Sequence, residues 1–323
     1  MKKVELHVHL DGSVRVSTVS ELLNLDVNYA LDNMVVKDVN PDLASYLTKF
    51  DLPIKVMQTK ENLKRIACEL AQDLKLDDVI YAEVRFAPQK HVLKGLSLDE
   101  VVDAVLEGFK AVSGIKINVI LCMMRGDFFD KNKEVIYLCK RYLNKGVVAL
   151  DLAGDEKNYK TKDYKVLFDI ANKENIPFTI HAGEADGAKS VLDAICFGAK
   201  RIGHGIRVLE DETVLKKVID NNVTLEVCPT SNVQTKAVSS YKEHPVKKLY
   251  DKNVLVTINT DNNTVSNLTL SKEYVRLRKY FNFTDADFLR FNINAVNASF
   301  ISEEEKEKYV KIIRESYDES IRG

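Results

Sequence analysis

ELHVHLDGS, residues 5–13, is the first extended stretch of the chain, and it carries an unusual amount of polar chemistry. His7 and His9 flank Val8, and Asp11 follows two residues later. Residues i and i+2 of a β-strand point to the same face, so both imidazoles are predicted to share one face. Two histidines at this spacing are a weak signal alone, because hydrogen-bonded core histidines give the same pattern. Whether His7 and His9 form a metal site or part of a packed core depends on which other side chains of the chain are predicted to lie near them.

Seven further stretches are short and apolar or β-branched, and most are separated by stretches with helical spacing. With the first stretch, the predicted strands are 4–10, 79–88, 115–124, 147–154, 177–184, 201–205, 223–232 and 254–261. Helical spacing is clearest in 96–112, 131–146 and 211–222. Strands that alternate with helices predict a parallel sheet with crossover connections, and eight strands close a (β/α)8 TIM barrel of the α/β class.

The connection between the first two predicted strands, about 14–78, is unusually long and has helix signals of its own. Asn40 followed by Pro41 is typical of a helix N-terminus, and Thr18 with Glu21 has capping-box spacing. We therefore predict a helical insertion over one mouth of the barrel.

The carboxyl-terminal stretch 302–320 has the spacing of an amphipathic helix with a charged, solvated face. No internal repeat or low-complexity linker divides the chain. Residues 1–323 are therefore predicted to form a single barrel domain with the helical insertion and extra C-terminal helices.

Composition excludes several classes of protein. Of the 323 residues 45% are hydrophobic and 29% charged, the net charge is -1, and basic residues are spread along the chain, unlike a nucleic-acid-binding surface. No apolar run approaches the roughly 18 residues of a membrane span, and because the polar strand begins at Glu5 we expect no signal peptide before it. The five widely spaced cysteines form no C-x-x-C pair, which predicts reduced, mostly buried thiols in a cytoplasmic protein.

The histidines are distributed unevenly. Only His91 and His244 lie away from the predicted strand ends; the other four lie at them, namely His7, His9, His181 and His204. The carboxyl ends of barrel strands meet at the face where active sites of this fold are built. The sequence thus predicts a histidine-rich site at that face.

Three of these imidazoles and one carboxylate form a candidate metal site, with Asp261 at the end of the eighth strand joining His7, His9 and His181. This ligand set favours a divalent ion, and zinc is its natural occupant. Because the group contains no cysteine, we expect an open catalytic site with a position for water rather than a closed structural site.

Two further residues suit catalysis beside such a metal. Glu184 ends HAGE (181–184), and a glutamate there also suits the dipole of a helix N-terminus. Next to an activated water, a carboxyl group that does not bind the metal is suited to general acid–base work. His204 lies between glycines in GHG (203–205), where it can orient or deprotonate the water.

Six motifs occur in the order and spacing of the adenosine deaminase family of the amidohydrolase superfamily. They are HVHLDGS (7–13), DLAG (151–154), HAGE, RIGHG (201–205), CPTSN (228–232) and NTD (259–261). The resemblance runs from residue 5 to about 275. It implies hydrolytic deamination of adenosine, and of 2′-deoxyadenosine, to the 6-oxo purine nucleoside and ammonia, in purine salvage.

The resemblance also implies roles for single residues. His7, His9, His181 and Asp261 match the ligands of one zinc ion per chain. Other amidohydrolases hold two metals bridged by a carboxylated lysine at the end of the fourth strand. That position reads DLAG here and has no lysine, which favours one metal.

Around the substrate, the resemblance makes Glu184 the acid that protonates purine N1 and His204 the histidine that positions the attacking water. Asp11 matches a contact to the ribose 5′-hydroxyl, and Gly154 a backbone contact to the purine ring. His9 is placed with the substrate-binding residues as well as with the ligands.

One position departs from the family pattern, because Asn262 follows the zinc aspartate where many members have a second aspartate. The side chain there would face purine N7, a lone-pair acceptor. A carboxyl group must hold a proton to donate to N7, whereas an amide donates without one. We therefore expect Asn262 to serve the same contact.

Three alternatives remain open. A deaminase of AMP would place a phosphate near Asp11, which would repel it. A deaminase of adenine or of another 6-aminopurine is also compatible, although free adenine would leave Asp11 and the insertion with less to bind. In a different class, a non-catalytic metal barrel would bind nucleosides without releasing ammonia. The sequence does not give the oligomeric state.

Overall fold

A computed structural model describes residues 1–37 and 43–322, and within them eight parallel strands alternate with helices. The strands are β1 Lys3–His9, β2 Val79–Phe86, β3 Lys116–Met124, β4 Val147–Ala153, β5 Thr179–Ala182, β6 Arg201–His204, β7 Thr224–Val227 and β8 Leu255–Ile258. The helices are α1 Val16–Leu23, α2 Val27–Met34, α3 Leu43–Leu47, α4 Asp51–Val56, α5 Lys60–Leu76, α6 Leu98–Lys110, α7 Phe129–Tyr142, α8 Lys165–Lys173, α9 Ala188–Phe197, α10 Glu212–Asp220, α11 Pro229–Gln234, α12 Val246–Asp251, α13 Leu270–Phe281, α14 Asp285–Ala298 and α15 Glu303–Arg322.

The strands follow one another in chain order around the fold. Parallel ladders join β1 through β4 and β5 through β8. Single parallel bridges span the two seams, from Leu150 to Phe178 and from Val8 to Asp261. At the second seam the Asp261 carbonyl accepts the His9 N–H at 2.7 Å, and the Asp261 N–H donates to the His7 carbonyl at 2.9 Å. The predicted (β/α)8 fold is confirmed.

The predicted strand 223–232 is too long, because β7 ends at Val227 and α11 begins at Pro229. Proline suits the first position of a helix, where its fixed φ is helical and no intrahelical N–H bond is lost. The difference matters for the site, since a helix rather than a strand carries the end of the CPTSN motif.

The long first connection contains α1 through α5, but its last helix is an ordinary barrel element. Helix α5 packs against α6 and leads directly into β2, so the added helices are α1 to α4. The N-cap of α1 is Arg15, and the Thr18 side chain lies inside the helix and donates to Glu69 at 2.6 Å, so the predicted capping box at Thr18 is wrong. The predicted helix start at Asn40 and Pro41 lies outside the described residues.

The strands alternate between an apolar outer side and a polar inner side. On β1 the residues Val4, Leu6 and Val8 are buried in apolar clusters, whereas Glu5 and His7 contribute to a polar interior. Helices α14 and α15 pack over β1, where Ile313 joins the cluster of Val4 and Leu6. Among the described residues, no helix has the length and apolar character needed to cross a membrane.

A buried network of charged residues fills the barrel beneath the strand ends. The Glu226 carboxylate on β7 lies 2.7 Å from Arg85 and 2.6 Å from Arg201. Arg85 also lies 2.7 Å from Asp151, and the side chains of all four residues are at most 1% exposed. Such charges are tolerated in a low-dielectric interior only because each one is paired and hydrogen-bonded.

Glu226→Ala is expected to lower the free energy of unfolding by about 3–5 kcal/mol, because it leaves two buried guanidinium groups without their shared carboxylate. Urea unfolding of the metal-free protein measures this without a contribution from metal loss. Asp169→Ala removes an exposed ion pair to Lys165 and serves as the control, with an expected loss under about 1 kcal/mol. Equal losses in the two variants would contradict the assignment of Glu226 as the centre of the network.

Candidate active site

The four predicted metal ligands meet at the carboxyl ends of the strands. The ligand atoms of His7, His9, His181 and Asp261 all lie within 4.8 Å of one another. His9 Nε2 is 3.3 Å from His181 Nε2, and Asp261 Oδ1 is 3.4 Å from His7 Nε2 and 3.3 Å from His9 Nε2. Two ligands bound to one zinc ion at about 2.0–2.1 Å lie about 3–4 Å apart, so these three distances fit a shared ion.

Three of the four ligands, His7, His181 and Asp261, are oriented by a partner on the far side from the other ligands. His7 Nδ1 donates to Glu226 at 2.8 Å, and His181 Nδ1 lies 2.8 Å from Asp151. Carboxylate partners of this kind fix the tautomer of a metal-binding histidine and leave its Nε2 lone pair for the metal. The Ser231 hydroxyl donates to Asp261 Oδ2 at 2.5 Å, which leaves Oδ1 to face the histidines.

The protonation state of two of the ligands, His7 and His9, also suits a metal. Burial, together with the charge of Arg85, lowers the pKa of His7 to about 4, so its imidazole is neutral at physiological pH. Burial lowers the pKa of His9 as well. In the described part of the chain, the buried His7 Nε2 has no hydrogen-bond partner. A divalent cation would occupy that lone pair, and the residues therefore fit the metal that the sequence predicts.

The turns that carry Asp261 and His204 have an unusual backbone conformation. Asp261 and His204 both have φ of 62°, the left-handed region that non-glycine residues seldom adopt and that concentrates at functional sites. A Cβ on Gly203 would lie 3.0 Å from His7 Cε1, which is tighter than ordinary contacts between side chains. The glycine before His204 therefore lets the sixth strand approach the metal-binding histidines.

Glu184 and His204 lie together beside the metal-binding group. Glu184 Oε2 is 3.5 Å from His204 Nε2, and the His204 ring centroid is 4.9 Å from that of His7 and 5.2 Å from that of His181. Glu184 and His204 thus lie next to each other and next to the metal-binding group, where a general acid and a residue that positions water would be needed.

The turn that carries Glu184 is held by a second glutamate, Glu156. Its carboxylate accepts four consecutive backbone N–H groups, from residues 183 to 186, at 2.6 to 3.1 Å, and the Ser190 hydroxyl at 2.5 Å. Glu156 thus fixes the backbone on which Glu184 is placed.

These side chains open into a cavity of about 230 Å³. Its lining includes every predicted site residue except His7, which lies buried beneath it; these are His9, Asp11, Gly154, His181, Glu184, His204, Asp261 and Asn262. The insertion contributes the wall on one side, through Tyr46, Leu47, Phe50 and Ile54. A largely apolar wall opposite converging polar groups is typical of a small-molecule site.

Asn262 faces this cavity but is already partnered on one side. Its Nδ2 donates to the Tyr46 hydroxyl at 2.8 Å, which links the insertion to the eighth strand end. A Cβ on Gly12 would lie 1.7 Å from Asn262 Oδ1, so only glycine at 12 leaves room for this amide. The second Nδ2 hydrogen of Asn262 remains available to an acceptor in the cavity.

If the cavity binds adenosine, as the resemblance of the sequence implies, Asn262→Ala is expected to lower kcat/KM for adenosine by about tenfold, the value of roughly one good hydrogen bond. The same variant should make no difference with 7-deazaadenosine, which lacks the N7 acceptor. Steady-state kinetics of the unaltered protein and of Asn262→Ala, each with adenosine and with 7-deazaadenosine, separate the N7 contact from other effects of the substitution. An equal loss with the two substrates would show that Asn262 does not face N7.

The sequence analysis missed several residues that support the site. Asp151 and Glu226 are acids inside otherwise apolar strands, and that mismatch was the signal that could have found them. Ser231 and Asn232 were assigned to a strand, although they lie on α11 and contact the site. Glu156 had no signal of its own, because acids are common after strands.

Comparison with known proteins agrees with this geometry. The sequence model described as adenosine deaminase matches residues 2–316. An adenosine deaminase of Clostridium perfringens is 43% identical over 322 residues, which cover 95% of this chain and 96% of that protein.

Solved structures are similar over nearly the whole chain. The adenine deaminase of Arthrobacter aurescens has a TM-score of 0.88 at 22% identity, with 98% of this chain and 99% of that one covered, and shows the fold alone. The N6-methyl-AMP deaminase of Arabidopsis thaliana has a TM-score of 0.87 at 25% identity, with 99% and 98% covered. From the full-length family match and this identity, the chain belongs to the adenosine deaminase family of metal-dependent hydrolases.

Proposed function

We propose that this protein is a zinc-dependent hydrolase that converts adenosine, and 2′-deoxyadenosine, to the 6-oxo nucleoside and ammonia in purine salvage. The observation that carries the proposal is the convergence of three elements on one cavity. These are the His and Asp metal-binding group, the Glu184 carboxyl and the His204 imidazole. Family membership indicates the reaction class, hydrolytic deamination, and the residues of the site are of the types that this reaction needs.

Zinc is the metal we propose, one ion per chain, held by His7, His9, His181 and Asp261. When bound, it would lower the pKa of a coordinated water from 15.7 towards about 7 and so supply the nucleophile at neutral pH. The ligand set of three imidazoles and one carboxylate, with no thiolate, is that of an open catalytic site.

Glu184 performs the proton transfer to the purine. Addition of oxygen to C6 breaks the aromatic ring and places negative charge on N1. A carboxyl group in contact with N1 converts that charge to an N–H bond as it develops. The amino group takes up the proton that the new C6 hydroxyl loses, so it leaves as ammonia while the ring regains its conjugation as the 6-oxo purine. His204 orients the attacking oxygen through its Nε2, which lies beside Glu184.

The remaining pocket residues bind the nucleoside. We assign Asp11 to a contact with the 5′-hydroxyl. The Gly154 backbone and the Asn262 amide are assigned to contacts with the purine. His9 contacts the substrate as well as the metal. All four line the cavity. Such contacts hold the reacting carbon near the nucleophile, which is a large part of enzymatic rate acceleration.

Asp11 favours a nucleoside over a nucleotide. Burial raises the pKa of Asp11 to about 6, so the group is mostly ionised at pH 7, accepts a hydrogen bond from a hydroxyl group and repels a phosphate. Lys90 also lines the cavity, but its ammonium lies 3.2 Å from Asp127. We therefore place adenosine ahead of AMP, and ahead of adenine, which would leave Asp11 without a partner.

Asp11→Asn is expected to lower kcat/KM for adenosine by about 10- to 100-fold, the range of a hydrogen bond to a charged group. It should leave the much slower turnover of adenine unchanged and narrow the gap between adenosine and AMP. Ammonia release from the three substrates measures this, with Asp130→Asn on the exposed start of α7 as the control. Faster turnover of AMP or adenine than of adenosine by the unaltered protein would overturn the substrate assignment.

Two further assignments accompany this function. We infer that residues 1–323 act as one domain, because the added helices α3 and α4 line the cavity and α15 packs against β1. We also propose a reducing, cytoplasmic setting, because all five cysteines are free thiols and three of them are buried.

A further inference from the structure

Asn232 lies between the two catalytic groups and touches both. It is buried on α11, and its Nδ2 is 3.0 Å from His204 Nδ1 and 3.2 Å from Glu184 Oε1. An amide nitrogen carries two hydrogens and accepts none, so one amide can donate to both groups at once. The orientation of this amide therefore decides the protonation pattern of its two neighbours.

His244 fixes that orientation from outside the cavity. The Val246 backbone N–H, at the start of α12, donates to His244 Nδ1 at 3.1 Å. Nδ1 is then an acceptor, and a neutral imidazole carries its hydrogen on Nε2, which lies 3.2 Å from Asn232 Oδ1. Burial, together with the charge of His204, lowers the pKa of His244 to about 3, so this imidazole is neutral. The amide oxygen of Asn232 therefore accepts, and its nitrogen faces the site.

Two consequences follow at the catalytic groups. His204 Nδ1 accepts from Asn232, so neutral His204 carries its hydrogen on Nε2, the nitrogen that faces Glu184 Oε2. Glu184 Oε1 accepts from Asn232 and from the Thr235 hydroxyl at 3.0 Å. With Oε1 occupied by two donors, the proton of neutral Glu184 belongs on Oε2.

We propose that Asn232 and His244 are positioning residues that fix the tautomer of His204 and the proton-bearing oxygen of Glu184. The chain of hydrogen bonds runs from the Val246 N–H through His244 and Asn232 to both groups. It makes His204 a hydrogen-bond donor towards the attacking oxygen rather than an acceptor of its proton. Preorganised donors of this kind stabilise negative charge as it forms. The proposal deepens the proposed function and rests on it for its catalytic meaning.

The tautomer of His204 is directly measurable in the zinc-loaded protein labelled with 15N-histidine. Two-bond 1H–15N correlation spectra distinguish protonated from unprotonated ring nitrogens, and His204→Asn identifies the signals of His204. We expect hydrogen on Nε2 and none on Nδ1. Hydrogen on Nδ1 in the unaltered protein would overturn the proposal, and this reading does not depend on whether the protein deaminates adenosine.

Asn232→Asp keeps the shape of the side chain but removes both donors. We expect the hydrogen of His204 to move to Nδ1, where the new carboxylate accepts it, and kcat for adenosine to fall at least about 100-fold, the lower range for general acid–base groups. KM and zinc content should stay within about threefold. An unchanged tautomer, or a loss confined to KM, would contradict the proposal.

A pair of variants at His244 separates positioning from packing. His244→Gln retains a donor amide near the place of Nε2 and should keep kcat within a few-fold and the His204 signals unchanged. His244→Leu fills the volume without a donor and should lower kcat and mix the His204 tautomers. Equal kinetics and equal spectra for the two variants would contradict the role of His244. If the unaltered protein shows the predicted His204 tautomer, but neither it nor any variant deaminates adenosine, only the proposed function would be contradicted.

Discussion

Glu184→Gln is expected to lower kcat for adenosine by about 1000-fold or more while the protein keeps one zinc per chain. A glutamine has the size of glutamate but cannot give a proton to N1, and general acid–base groups contribute about 10²–10⁴-fold. Because Glu184 is not among the four ligand residues, the metal should be unaffected. Steady-state kinetics and elemental analysis of the same preparation measure the two quantities.

The matched control is Glu212→Gln, at an exposed position at the start of α10. It makes the same chemical change away from the cavity and should leave kcat within about twofold. Activity of the Glu184 variant within tenfold of the unaltered protein would remove Glu184 from the role of general acid. Loss of zinc in that variant would show that Glu184 acts through the metal instead.

Asp261→Ala and His181→Ala are expected to release the metal and abolish turnover together. Each removes one of the four ligand side chains and breaks its contact to a supporting residue, Ser231 or Asp151. Even removal of such supporting residues typically costs 10- to 100-fold in metal affinity, so loss of a ligand should cost more than about 100-fold. Competition with a chelating dye measures the affinity.

Asp251→Ala, in an exposed ion pair with Lys247, is the control for this pair of variants and should bind zinc like the unaltered protein. Excess zinc should restore part of the activity of the two ligand variants if they fold normally. Unchanged zinc affinity in either variant would contradict its assignment as a ligand.

The fold was predictable because its signals are local. Alternating polarity in β1 and the apolar runs of the other strands mark the elements, and their number points to the barrel. The carboxyl ends of parallel strands share one face, so residues 254 positions apart, such as His7 and Asp261, could be brought together from sequence alone. This inference needs only the order and direction of the strands. In the structure, His7 Nε2 and Asp261 Oδ1 lie 3.4 Å apart.

The parts that escaped prediction depend on contacts between distant segments. The CPTSN motif reads as strand because Val223 to Val227 is β-branched and apolar, whereas Pro229 starts a helix. His244 lies outside every strand end, and nothing in its neighbourhood indicates that Asn232 is its partner. The buried ion pairs of Arg85 were also missed. Its partners, Asp151 and Glu226, lie on other strands, so the pairs can be recognised only once the positions of all three side chains are known.

We propose that this chain deaminates adenosine with a metal held by His7, His9, His181 and Asp261. Release of ammonia and of the 6-oxo nucleoside from adenosine tests this in the purified protein before chelation, after chelation and after one equivalent of zinc is restored. We expect equal amounts of the two products, loss of both on chelation and recovery of both with zinc. A zinc-loaded protein that releases no ammonia from adenosine, or that is equally active after the metal is removed, would contradict it.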